Sequence, residues 1–112
     1  MRSGDIVEVD FGVPLGSAAG FRRPAVVVTA DAFLRYRPTT VFVVPLTSTP
    51  RRFPSHVGIE PDGDNRLQAP SYALVEQLRA VSVQRCREVS GHVGNAVSHQ
   101  ILDVLGMITG MP

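Results

Sequence analysis

The feature that most constrains this chain is a series of short β-branched runs broken by turn-forming residues. In residues 6–11, Val7, Val9 and Phe11 alternate with Glu8 and Asp10, the period of a half-buried strand. Residues 24–29 and 39–46 are continuous β-branched runs, as in strands covered on both faces. Pro45 lies inside the second run and cannot donate to a ladder, so that strand is expected at a sheet edge or bulged near its end. Thr47 would then emerge where the sheet is irregular. Residues 56–60, 71–77, 78–83 and 87–93 read as further short strands, and residues 30–36 as a helical turn.

Between these runs the breakers fall in two loops and one turn. Residues 12–22 hold Gly12, Pro14, Gly16, Ser17 and Gly20, which reads as a long connection. A second loop, residues 48–54, carries Arg51, Arg52 and Phe53 between prolines. Pro61, Asp62, Gly63, Asp64 and Asn65 form a turn cluster. The chain closes differently. Over residues 96–109, Val97, Ile101, Val104, Leu105 and Ile108 recur at helical spacing, with Asn95 as the expected cap and Gly110 and Pro112 as stops. Their apolar face reads as core, with a share available to a dimer contact. Many close strands and one C-terminal helix predict a mainly β (α+β) fold, a compact, SH3-like twisted antiparallel barrel. At 112 residues, with 44% of them hydrophobic, residues 1–112 are expected to form a single domain.

Charge excludes a simple polycation, because the net charge is only +1. Any nucleic-acid affinity must come from local clusters. All 11 basic residues are arginine, which suits forked contacts to phosphate, although a GC-rich coding sequence produces the same bias. Cys86 is the single cysteine, so no internal disulfide forms, and the three histidines show no metal-ligand spacing. Cys86 reads as a small core residue. No metal or other cofactor is expected. No segment reads as a membrane span or a targeting signal, which makes a reducing cytoplasm the default.

Five blocks carry a resemblance. They are Gly4-Asp5-Ile6-Val7, the loop ending in Arg23-Pro24-Ala25-Val26-Val27-Val28, Val43-Val44-Pro45-Leu46-Thr47-Ser48, Ser55-His56-Val57, and Val75-Glu76-Gln77-Leu78-Arg79-Ala80-Val81. Each is weak alone. Together, in order and spanning nearly the whole chain, they resemble the MazF/PemK (Kid-like) family of type II toxin endoribonucleases. The resemblance implies a cytoplasmic homodimer with a groove for single-stranded RNA across its two subunits, blocked by a cognate antitoxin protein. It implies metal-independent, sequence-specific cleavage that inhibits translation and growth. It also puts the catalytic pair on Arg23 and Thr47. In one place the chain departs from the family, since many members have glutamate in the first loop where this chain reads Gly16-Ser17-Ala18-Ala19-Gly20. A carboxylate is missing at Ala18, and the identity of the proton acceptor stays open.

The chemistry suits the pair. Without a metal, the RNA 2′-hydroxyl attacks the adjacent phosphorus, and the protein must align it, take its proton and stabilise charge on phosphate oxygens. An arginine stays charged and offers forked donors, so Arg23 suits charge stabilisation, a role worth roughly 3–4 kcal/mol for one donor. Thr47 has one hydroxyl to hold an oxygen. His56 could transfer the proton, but a histidine in a strand is more often scaffold. Glu76 could do so too, but reads more readily as a buried structural hydrogen-bond partner. Arg22, Arg51 and Arg52 are candidate phosphate contacts or simply solvated charges. Phe21 and Phe53 are candidates to stack on bases or to pack locally, and Ser48 lies beside Thr47 as a further RNA-binding candidate. Two other functions remain: a CcdB-like toxin directed at gyrase, which has a similar fold, and a non-catalytic SH3-like binding module.

Overall fold

A computed structural model describes residues 1–18, 20–50 and 52–110. Its elements run β1 (Asp5–Asp10), β2 (Arg22–Val27), α1 (Asp31–Leu34), β3 (Thr40–Thr47), β4 (His56–Ile59), β5 (Ser71–Leu74), β6 (Arg79–Ser82), β7 (Cys86–His92) and α2 (Gly94–Ile108). Short 3-10 turns at Val75–Gln77 and Val83–Arg85 flank β6. These turns separate the last three strands, which carry little glycine or proline between them. The seven strands form one sheet in the order β4-β5-β3-β2-β1-β7, with β6 also on β3. Every pairing is antiparallel. The sheet has two ends, β4 and β7, so the barrel expected from the strand spacing is an open one.

Alternation along the strands sorts their side chains into two cores. Ile6, Val26, Val44 and Leu46 join Val57, Ile59, Ala73, Val75, Val93 and Ile101 in one. Val7, Val9, Phe11, Ala25, Val27, Val41, Val43 and Val81 form the other. The three central strands are therefore covered on both faces, which is why β2 and β3 read as unbroken apolar runs. Helix α2 lies against β4 and the Val75–Gln77 turn. Ile101 is its one fully buried side chain, and truncating it would cost about 2–5 kcal/mol.

Two local expectations need correction. β3 is not an edge strand: β2 lies on one side and β5 and β6 on the other. It tolerates Pro45 because its outer partner changes there. Thr40 to Val43 pair with β6, Leu46 and Thr47 pair with β5, and the Val75–Gln77 turn takes the chain between them. The Phe42 carbonyl accepts from Val28 on the β2 side, and its N–H reaches Thr29 Oγ1. By antiparallel alternation Pro45 faces away from β2, into the gap between ladders, where no donor is required.

Asn95 does not cap α2. The helix starts at Gly94, and no side chain caps it from the Val93 position. The Gly94 N–H instead donates to His92 Nδ1 at 2.9 Å. The ring's other nitrogen meets the Ser3 carbonyl at 2.9 Å, so one imidazole ties the N-terminus to the helix start. At the far end Gly110 adopts φ +79, a left-handed conformation that glycine takes without strain. Ile108, counted with the apolar face, is 45% exposed.

Candidate functional site

Strand register brings Arg23 and Thr47 together. Ala25 pairs with Pro45, Val26 with Val44 and Val27 with Val43. Continuing that register two residues outward sets Arg23 opposite Thr47, and the two-residue period puts both side chains on one face. A cleft of about 370 Å³ opens there, lined by Arg23 and Thr47 together with Arg22, Phe21 and Ser48. Gly20, Pro24, Leu46 and Ser71 complete its walls. Five of the residues singled out in the sequence thus share one cleft.

Both central groups are partly held and partly open. Arg23 donates its Nε–H to the Gly20 carbonyl at 3.3 Å, which leaves the terminal guanidinium nitrogens for an anion. Thr47 Oγ1 accepts the Thr49 N–H at 3.2 Å, so its own hydrogen is available to an anionic oxygen. Two donors on one wall, one of them permanently charged, form an anion-binding geometry. Phe21 stands 65% exposed at the mouth with φ +58, a conformation that costs free energy in a bulky residue and here turns the ring outward.

His56 and Glu76 do not join this cleft. They line a second one, of about 380 Å³, with Arg52, Phe53, Ser17 and Gln77. Thr47 pairs with Tyr72 and Tyr72 with Gly58, so two strand steps and two residues along β4 separate Thr47 from His56. That is roughly 12 Å between α-carbons. Within the second cleft His56 Nε2 lies 3.1 Å from Glu76 Oε2, and Ser55 Oγ donates to Glu76 Oε1 at 2.6 Å. Burial alone would raise the Glu76 carboxyl, but the hydrogen bonds from Ser55 and His56, with the nearby imidazole charge, hold it below the usual glutamate range. Glu76 is the hydrogen-bond partner expected. It is not buried, since its side chain keeps 32% of its surface in the open cleft.

The His56 side chain is only 6% exposed, and its Nδ1 has no partner. An unmet buried polar atom of this kind typically costs about 1–3 kcal/mol and calls for an explanation. Phe53 tilts against the imidazole at 5.6 Å between ring centroids while staying 58% exposed. Arg51 lies outside the described residues.

Ser55, Ser17 and Gln77 stand in the loop and the blocks read from the sequence, but were given no site role there. Gln77 Nε2 donates to the Ser17 carbonyl at 3.2 Å across 60 positions of chain, a contact with no local pattern to reveal it. Ala18 is exposed in the same loop. Among the described residues no three His, Cys, Asp or Glu side chains gather as a metal site, and no helix is long and apolar enough to cross a membrane. Cys86 is half-buried rather than core, and burial pushes its thiol up.

Comparison with known proteins matches this architecture. The MazF endoribonuclease of Staphylococcus saprophyticus is 28% identical over 113 residues, covering 99% of this chain and 92% of the relative. The crystal structure of MazF from Deinococcus radiodurans superposes with a TM-score of 0.83 at 24% identity, covering 99% of this chain and 97% of that one. A mycobacterial endoribonuclease in complex with its cognate antitoxin superposes at 0.79 with 21% identity, covering 100% of this chain and 97% of that one. The model of the PemK-like, MazF-like toxins matches residues 2–109. With nearly the whole chain matched, it belongs to the PemK-like, MazF-like toxin family of type II toxin-antitoxin systems.

Proposed function

We propose that this chain is a single-domain, sequence-specific endoribonuclease toxin that cuts single-stranded RNA without a metal, with Arg23 and Thr47 as its catalytic residues. The observation that carries the reading is their convergence, through the β2–β3 register, on one anion-binding cleft. The substrate's 2′-oxygen attacks the adjacent phosphorus, the bond to the 5′-oxygen breaks, and the products are a 2′,3′-cyclic phosphate and a 5′-hydroxyl. Arg23 stabilises the charge that builds on the non-bridging oxygens, and Thr47 holds one of them. Arg22, Phe21 and Ser48 hold the strand at this cleft, while Arg52 and Phe53 hold it at the second one. Arg51 is assigned to the same phosphate-binding loop.

The relatives' names support RNA as the substrate and a cognate antitoxin as the natural inhibitor. The toxin acts as a cytoplasmic homodimer whose two subunits share the RNA groove, and its cleavage arrests translation and growth. The test is incubation of purified protein with a labelled RNA in excess EDTA. Cleavage is expected to persist and to leave 5′-hydroxyl ends. Activity that disappears on chelation and returns with magnesium would overturn the mechanism.

A further inference from the structure

We infer that the second cleft is a base-reading pocket in which Glu76, oriented by Ser55 and His56, selects a nucleobase carrying an exocyclic amino group over uracil. The inference rests on the RNA-cleaving reading above and names the specificity-determining residue of that reaction. Three observations carry it.

The pocket is built rather than incidental. Glu76 takes a hydrogen bond on each carboxylate oxygen, 2.6 Å from Ser55 and 3.1 Å from His56, which fixes its plane, and with its own backbone N–H also at the carboxylate it keeps acceptor capacity for a further donor. His56, 6% exposed, backs it as a rigid, buried donor, with its Nδ1 buried and without a partner. Phe53 provides an exposed ring beside them on which a base can stack.

The pocket lies at the right place. The loop leaving Thr47 carries Phe53 before β4 begins at His56, and the strand steps put His56 roughly 12 Å from Thr47 between α-carbons. The two clefts share no lining residue, which suits a neighbouring nucleotide. The first loop closes both clefts, with Ser17 held over this one by Gln77 and Gly20 and Phe21 walling the other. Arg52, on the rim, is positioned for the intervening backbone.

The chemistry selects. An ionised carboxylate only accepts, so it favours the amino groups of adenine, cytosine and guanine. Uracil offers one N–H flanked by two carbonyl oxygens, which the carboxylate repels. His56 is then a positioning residue, and its tie to Glu76 explains why a histidine near the site need not be the base.

The experiment is equilibrium binding of a randomised pentanucleotide RNA pool to the Arg23→Ala protein, which removes the guanidinium held at the cut site, followed by sequencing of the bound fraction. At one position amino-bearing bases are expected over uracil by about tenfold. Adding Glu76→Gln should abolish that preference at that position alone, because the amide also donates. Adding Phe53→Ala, on an exposed ring that the fold does not need, should weaken binding for every base and keep the ranking. A pool with no such position, or a preference that Glu76→Gln leaves intact, overturns the pocket. Should wild type cut no RNA while the binding preference stands, the cleavage reading fails and the pocket survives.

Discussion

The Gly20 carbonyl accepts the Arg23 Nε–H, so the residue that closes the first loop also aims the guanidinium into the cleft. Gly20 can do this because it has no side chain: a Cβ at this position would collide with the ring and backbone of Pro14. Loop and site are mechanically one unit. Gly20→Ala must displace either Pro14 or the carbonyl that holds Arg23. Cleavage is expected to fall by about 10- to 100-fold, the usual result of misplacing a reacting group by about 1 Å. The melting temperature is expected to fall as well, since the atoms to be displaced include the backbone of Pro14. Single-turnover cleavage with parallel thermal melts checks this, and unchanged cleavage would uncouple the loop from Arg23.

Arg23→Ala and Thr47→Ala should each slow cleavage by about two to three orders of magnitude, the typical cost of one preorganised donor. In combination the losses should not add, because the two donors face the same charge. Both proteins should remain folded, since both residues are half-exposed at strand ends. A folded variant cutting within about threefold of wild type, worth only about 0.7 kcal/mol of barrier, would remove that residue from the reaction.

Arg22 and Arg52 lie on the rims of different clefts, so they test the path of the RNA. Removing one arginine–phosphate pairing with a single strand reduces the salt slope of binding by about 0.7. Arg22→Ala and Arg52→Ala should each do so and weaken all sequences alike. A salt slope equal to that of wild type would mark the residue as a solvated charge.

The Glu76 carboxyl is held below its ordinary range, so its folded value lies below its unfolded one. A group shifted this way stabilises the fold above the unfolded value, about 4.3, and loses that contribution as pH falls through the lowered folded value. Wild type should therefore melt above Glu76→Gln at neutral pH, with the gap closing as the solution is acidified below the glutamate range. A gap that is constant with pH would mean the hydrogen bonds favour neither charge state.

Burial raises the Cys86 thiol, which keeps it protonated at neutral pH. Alkylation by iodoacetamide in the folded protein should be slower than in the urea-unfolded chain at the same pH. Equal rates would contradict the half-buried placement.

Much of this fold is written in local pattern. Alternation along β1, unbroken apolar runs in β2 and β3, and helical spacing in α2 all follow from which faces must be covered, and burial obeys the same periods. Arg23 and Thr47 could be singled out because each sits in a compact motif at a strand end. Three things needed the tertiary structure. Pro45 could only be placed once β3 was seen to change partners beside it, because a proline's missing donor matters only relative to a neighbouring strand. The start of α2 was decided by a histidine ring that meets both the Ser3 carbonyl and the Gly94 N–H, placing the helix start one residue before the asparagine expected to cap it. The division of the candidates into two clefts was decided by the β4–β5 pairing, which sets His56 opposite Leu74 and so brings the Ser55 and His56 side chains to Glu76, 21 and 20 positions away. Sequence spacing determines which residues share a strand face, whereas distance across a sheet depends on strand order, which no local pattern encodes.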